Sequence, residues 1–359
     1  MQIVKDVKIR FLIVLLCDVQ INNHSKKWIW VTITLLPLAI TACQGEASAL
    51  NPRGEGATYI ANLWVVMLII GSVVYVQVIS LFFMALFRRR AAKIDVNDTP
   101  DVSPPSRGAM MFIVANGIAI PIVIITVVFG FNLVTLAALS PSNAMSDLTI
   151  EVIGHRWWWE VRYPHHDVVT ANEIYIPTGT RVELRLTSED VIHSLWIPSL
   201  NGKTDLIPGQ SNRMSLYTDE AGEYRGFCAE LCGVQHARML FRVIAQPPDD
   251  FEEWVAQQQQ SAPVPQDDLV LRGQQIFLGS ACVYCHTIRG TSASGVIGPD
   301  LTHIASRRTL GAGVLPNTRA NLAGWIVDPQ AIKPGNLMPP MYLEGDALQA
   351  LLAYLETLQ

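Results

Sequence analysis

The sequence predicts a multidomain membrane protein in three parts: a two-helix transmembrane hairpin, a β-sandwich and a small all-α domain. Three observations predict it. Half of the 359 residues are hydrophobic and only 16% are charged, low for a soluble chain, and the excess lies in two charge-free runs. Residues 147–245 then change to short segments of alternating polarity, such as Val182-Glu-Leu-Arg-Leu186, separated by turn signals at 177–180, Pro208-Gly209 and Glu220-Ala-Gly222. Beyond a polar, proline-containing stretch, helix-like runs bracket the motif Cys282-Val-Tyr-Cys285-His286. The net charge of -5 gives no footing for nucleic-acid binding.

The N-terminal segment, 1–42, reads as a signal sequence. Lys26-Lys27, an apolar stretch and Ile40-Thr-Ala-Cys43 supply a charged region, a hydrophobic region and a small-residue cleavage site ending in Cys. It resembles a bacterial lipoprotein signal, with Cys43 as the acylated first residue. The alternatives are an ordinary signal peptide or a third, uncleaved span. Residues 1–24, Cys17 included, have no assignment beyond an extended basic region or an upstream extension. The hairpin follows over 43–145, with spans at about 63–87 and 110–139, each long enough to cross a hydrocarbon core of about 30 Å. Arg88-Arg89-Arg90 and Lys93 make the connecting loop cytoplasmic, so everything after 140 lies outside the cytoplasm.

The sandwich, 146–256, carries the chemistry in Cys228-Ala-Glu-Leu-Cys232-Gly-Val-Gln-His236-Ala-Arg-Met239. Two thiols, an imidazole and a thioether in one loop form a soft set that suits copper. A single blue-type copper needs one Cys with two His and a weak axial Met, so the second thiol asks for a further explanation, and two bridging thiolates would hold two coppers. A second imidazole must come from another strand, and His193 in Val191-Ile-His-Ser-Leu-Trp is the candidate. A Cys228–Cys232 disulfide or half a structural zinc site are the alternatives, and neither explains Met239 or His193.

Residues 257–268 lack apolar periodicity and contain two prolines, which reads as an exposed tether. A flexible linker of that length spans roughly 20 Å and holds its two ends at about millimolar effective concentration. The final domain, 269–359, contains the attachment signature of a c-type haem: Cys282 and Cys285 add to the vinyl groups and His286 is an axial iron ligand. Haem attachment outside the cytoplasm agrees with the topology. The sixth ligand should be a Met, whose thioether raises the reduction potential.

Together the Cys228–Met239 loop, His193 and the Trp157-Trp158-Trp159 run resemble subunit II of a haem-copper cytochrome c oxidase, and the C-terminal ordering resembles a class I cytochrome c. The resemblance covers nearly the whole chain. It implies a cupredoxin-like Greek-key sandwich holding the dinuclear copper centre called CuA, bridged by Cys228 and Cys232. His193, His236 and Met239 would be terminal ligands and Glu230 a backbone-carbonyl ligand, its side chain reaching a magnesium shared with subunit I. Trp157 would be where electrons reach the copper; aromatic anchoring near the membrane is the competing role for Trp158 and Trp159. Lys203 and Asp205 match a segment facing subunit I, although Asp205 also suits a turn. Met338, followed by Pro339, matches the family's sixth haem ligand, with Met341 as runner-up.

The resemblance implies an electron-relay subunit of a bacterial cytochrome c oxidase in the inner membrane, with both redox domains periplasmic. Electrons would pass from an external donor, such as a cytochrome c or a quinol-oxidising complex, through the covalent haem and CuA to subunit I. Oxygen would be reduced there with proton translocation. Subunits I and III and membrane lipid are the implied partners. One departure stands out: many family members place a carboxylate near the start of the second span for proton uptake, and residues 108–120 contain none, with Phe112 and Val114 in those positions and Asn116 the only polar substitute. A CuA-containing nitric oxide reductase and a membrane-anchored electron carrier are the alternative functions.

Overall fold

A computed structural model describes residues 45, 47–91, 104–140 and 146–359. The expected signal sequence, Cys17, Cys43 and Lys93 lie outside the described residues.

Helix α1 (Glu55–Ala91) and a second helical hairpin arm are both long and apolar enough to cross a membrane. At 37 residues, α1 extends about 55 Å, well beyond a hydrocarbon core of about 30 Å. It starts earlier than the apolar run because its first turns are rooted in the sandwich. The amides of Arg53 and Gly54 donate to the Ser199 carbonyl and that of Ala57 donates to Leu200. A Cβ on Gly54 would stand 2.4 Å from the Leu200 oxygen, so this approach requires glycine. Ion pairs Glu55–Arg181 and Arg53–Glu220 flank the root.

The second arm comprises α2 (Arg107–Val114), a π-helical turn (Ala115–Ala119) and α3 (Ile120–Leu139). Ser106 caps α2 by accepting from the Ala109 amide. The widened turn sits immediately before Pro121, whose ring cannot follow an ordinary α turn because it lacks an N–H and crowds the preceding carbonyls. Within it, the Asn116 carboxamide accepts from Gln77 Nε2 at 2.6 Å and ties the two arms together.

Ten strands form the sandwich: β1 (Leu148–His155), β2 (Trp158–Tyr163), β3 (Val168–Ala171), β4 (Glu173–Pro177), β5 (Val182–Ser188), β6 (His193–Trp196), β7 (Lys203–Leu206), β8 (Asn212–Leu216), β9 (Gly222–Cys228) and β10 (Leu240–Gln246). One sheet runs β3-β2-β1-β5-β8 and the other β4-β10-β9-β6-β7. The alternation read from 182–186 is real: Val182, Leu184 and Leu186 are buried while Glu183 and Arg185 are not. Facing residues such as Ile150, Trp159, Leu195 and Phe241 fill the space between the sheets. This is the cupredoxin-like sandwich that the sequence implies, and strands β6 and β9, which carry His193 and Cys228, lie side by side, with Leu195 paired to Cys228.

Helix α4 (Pro248–Gln258) closes the sandwich with Phe251 and Trp254 and runs into the stretch expected to be tether. That stretch is anchored at its start: Gln259 Nε2 donates to the His166 carbonyl and the Ala262 amide to Arg289. The stretch is thus stitched to both sides at its start, through the Gln259 side chain and the Ala262 amide, while residues 263, 264 and 266–268 are exposed.

The C-terminal domain contains α5 (Asp268–Leu278), a β11–β12 ribbon (Thr309–Leu310, Leu315–Pro316), α6 (Arg319–Val327), α7 (Pro329–Ile332) and α8 (Gly345–Glu356). Helices α5 and α8 cross closely at Gly273, where a Cβ would meet the Ala350 carbonyl at 2.0 Å. Phe277, Ile326, Leu351, Leu355 and their neighbours form its separate core.

Candidate metal and haem sites

The distant His193 and the Cys228–Met239 loop come together at one end of the sandwich. His193 opens β6, Cys228 ends β9, His236 begins a single 3₁₀ turn, and Met239 immediately precedes β10. The loop is pinned by two backbone bonds, Cys228 N–H to Met239 O at 3.0 Å and Ala229 N–H to Ser194 O at 2.9 Å. The thiols lie 3.7 Å apart and are unbonded. Cys228 Sγ is 3.9 Å from His193 Nδ1, and Cys232 Sγ is 3.8 Å from both His236 Nδ1 and Met239 Sδ. Among the described residues, His193, Cys228 and Cys232 form a buried group whose donor atoms lie close enough together to hold a metal ion. The Glu230 carbonyl lies 3.3 Å from Cys228 Sγ, while the Glu230 carboxylate is half-exposed beside Lys203.

The electrostatics favour a cation. The S–H of Cys232 and the His193 imidazole stabilise a Cys228 thiolate and hold its pKa far below the ordinary thiol value; that neighbouring charge in turn drives Cys232 upward. Burial pushes His193 down, but hydrogen bonding to Cys228 and Asp190 outweighs it and the net shift is upward. Asp190, a residue absent from the sequence-based site, accepts from His193 Nε2 at 2.9 Å and leaves Nδ1 facing the thiols. Burial would raise the Asp190 carboxyl, yet His193 and the amides of Val191 and Arg156 hold it below its ordinary value. Its position three residues before His193 was the only sequence signal. Gly154 presses on the same ring: a Cβ there would sit 2.8 Å from His193 Cδ2.

The three tryptophans divide by environment. Strand β2 begins at Trp158, so Trp157 lies just before it rather than within it. Trp157 is half-buried and donates from Nε1 to the Cys232 carbonyl at 2.9 Å. Trp158 stacks on His155 at 4.4 Å, and Trp159 is wholly buried against His193 and Phe241, which rules out a membrane-anchoring role for it.

Cys282, Cys285, His286 and both Met338 and Met341 line one mainly apolar cleft. Its volume of about 320 Å³ is far larger than a one-water packing defect. His286 Nδ1 bonds the Pro299 carbonyl at 2.7 Å, which fixes the tautomer and frees Nε2 to bind iron. Burial keeps this imidazole below its ordinary pKa, hence neutral. Gly298 packs so closely that a Cβ would stand 2.6 Å from His286 Cε1. Trp157 and Trp158 belong to the wall of this cleft as well. The donor types and the cleft fit both groups that the motifs imply, a thiolate-bound metal and a thioether-linked haem.

Comparison with known proteins gives concordant matches. Residues 167–246 match the family "Cytochrome C oxidase subunit II, periplasmic domain", and residues 270–359 match the cytochrome c family. Cytochrome c oxidase subunit 2 of Alkalihalophilus pseudofirmus is 34% identical over 334 residues, covering 92% of this chain and 96% of that protein. The Bacillus subtilis cytochrome c oxidase subunit 2 is 31% identical over 354 residues, covering 93% and 98%. The solved periplasmic domain of cytochrome oxidase subunit II of Bradyrhizobium japonicum is 28% identical and covers 33% of this chain and 97% of that chain, with a TM-score of 0.32.

Proposed function

The chain belongs to the cytochrome c oxidase subunit II family, and from that premise we propose that it carries electrons from its own covalent haem c to a CuA centre and on to subunit I. Relay itself, in a membrane respiratory oxidase complex with a haem-copper partner subunit, follows from family membership. The finer assignments are our reading. Cys228 and Cys232 bridge the copper pair, His193, His236 and Met239 complete it, and Glu230 offers its carbonyl. Support comes from the donor spacing: His193 approaches Cys228 and His236 approaches Cys232, so each thiol has its own imidazole, an arrangement that suits two ions. Bound there, the copper pair supplies one-electron transfer.

Residues 269–359 hold the haem through Cys282 and Cys285, with His286 and Met338 as axial ligands and Met341 the alternative to Met338. Residues 43–145 form the hairpin, 146–256 the copper domain and 257–268 the connection, after a lipoprotein signal ending at Cys43. The half-exposed Glu230 side chain is free to share a magnesium with subunit I. Subunit III and an external cytochrome c or quinol-oxidising complex are the remaining partners.

The observation that carries this reading is Trp157. It lines the haem cleft and donates to the backbone of the bridging Cys232, so one residue touches both redox sites. That is the position required of the residue through which electrons reach copper, and rigid strands around it limit reorganisation. Purification of the chain with its native partners tests the reading. The expected result is haem c absorption, a mixed-valence copper resonance and oxygen consumption; nitric oxide turnover without oxygen uptake would replace the oxidase by a nitric oxide reductase.

A further inference from the structure

We infer that Lys333 is the positioning residue that joins the haem cleft to Trp157 and sets the rate of electron transfer between the two redox domains. The inference rests on the relay reading above. Lys333 caps α7 and is 3% exposed. Its ammonium donates to the Trp157 carbonyl at 2.9 Å, across the domain boundary, and to the Gly311 carbonyl at 3.1 Å within its own domain. Among the described residues these carbonyls are its hydrogen-bond partners, and no carboxylate pairs with it. Burial pulls the Lys333 pKa down to about 7, with Cys232 opposing the fall and Arg238 adding to it, so the ammonium prevails below neutral pH and its placement is costly.

The surroundings show what the charge is placed to do. The segment around Lys333 is gripped by the copper loop: Gln235 Nε2 donates to the Pro334 carbonyl at 2.5 Å, Arg238 donates to the Ile332 carbonyl, and Val234 packs on Gly335. Gln235 and Arg238 adjoin the proposed copper ligands His236 and Met239, while Gly335 lies three residues before Met338. The loop of the copper site and the loop of the sixth haem ligand are therefore bonded to one another, with Lys333 at the centre of the contact. Lys333 also lines the haem cleft. An ammonium has three donors and two are occupied by carbonyls. A haem held in that cleft would supply carboxylate anions, and the remaining Lys333 donor would be able to bind one. One side chain then fixes Trp157 and senses the haem.

Lys333→Met in the full chain, loaded with haem and copper, tests this. It removes the charge and its donors while keeping the apolar stem. A residue that serves only packing would leave the haem midpoint potential unchanged and, relieved of a buried charge, would not slow transfer. The positioning role predicts a lower haem midpoint potential, because a cation that disfavours the oxidised haem is gone. It also predicts haem-to-copper transfer slower by roughly tenfold to a hundredfold after flash reduction. Lys333→Arg should restore most of both. Unchanged potential and rate in Lys333→Met would overturn the inference. Should that variant lose a cofactor, Arg238→Ala carries the test by releasing the Ile332 carbonyl beside Lys333: slower transfer supports the role, and an unaltered rate refutes it. A wild-type chain lacking either cofactor signal would instead refute the relay reading.

Discussion

Asp190 controls how His193 is presented to the thiols. Its carboxylate accepts a hydrogen bond from Nε2, is itself held by two backbone amides, and lies beside the Arg156 guanidinium at 3.4 Å. The His193 ring is therefore oriented, with Nε2 toward Asp190 and Nδ1 toward the thiols. Such outer partners typically govern metal affinity by ten- to a hundredfold. Asp190→Asn keeps the shape and loses the charge, so the copper affinity of the purified chain should fall by about that factor. A competition titration against a copper chelator measures it; an affinity equal to wild type would show that the ring is held by other contacts. Cys228 and Cys232 should remain unbonded thiols in the variant, since their 3.7 Å separation is set by the loop and not by Asp190.

At the scale of elements, the root of α1 decides where the sandwich stands over the membrane. Gly54 and Gly56 bring the helix start against Leu200 and Asn201, in the loop that follows β6 and hence His193. Gly54→Ala would drive a methyl group onto the Leu200 carbonyl, a backbone atom that cannot swing aside. The expected cost is roughly 1–3 kcal/mol, seen as a lower melting temperature of the detergent-solubilised chain. The helix itself should persist, since alanine favours it; a higher melting temperature would contradict this account. The sequence announced the spans, the strand alternation and the ligand loop because each depends on local period or spacing: Val182, Leu184 and Leu186, or Cys228, Cys232 and His236. It did not announce the glycine root, the Gln77–Asn116 bond or the π-helical turn. Those exist only after two distant segments meet, and a lone Asn116 in the sequence looked merely like a substitute for a missing carboxylate.

The whole molecule poses the same problem at the contact between the sandwich and the haem domain, where Lys333, Glu173 and Arg308 carried no motif. Glu173, 1% exposed at the start of β4, accepts from the amides of Arg308 and Thr309 at 2.8 and 3.1 Å. Arg308 reaches back to Glu223 on β9, and the Leu240 amide donates to Ala312. Burial is the largest influence on Glu173 and raises its pKa above the usual 4.5, against the Arg308 amide, the Arg307 charge and the Thr309 amide that lower it. The native state therefore holds this proton more tightly than the unfolded chain does. Its contribution to stability is fully present below the ordinary carboxylate value and is lost as pH rises through the raised one. Glu173→Gln mimics the protonated side chain and keeps an acceptor for both amides. Denaturation of the haem-loaded chain, followed by the haem signal at several pH values, should show the wild type losing stability relative to E173Q as pH increases across that window. A difference that is flat with pH, or that grows in favour of wild type, would mean the buried carboxylate is ionised throughout, its burial offset by the Arg308 amide and the Arg307 charge.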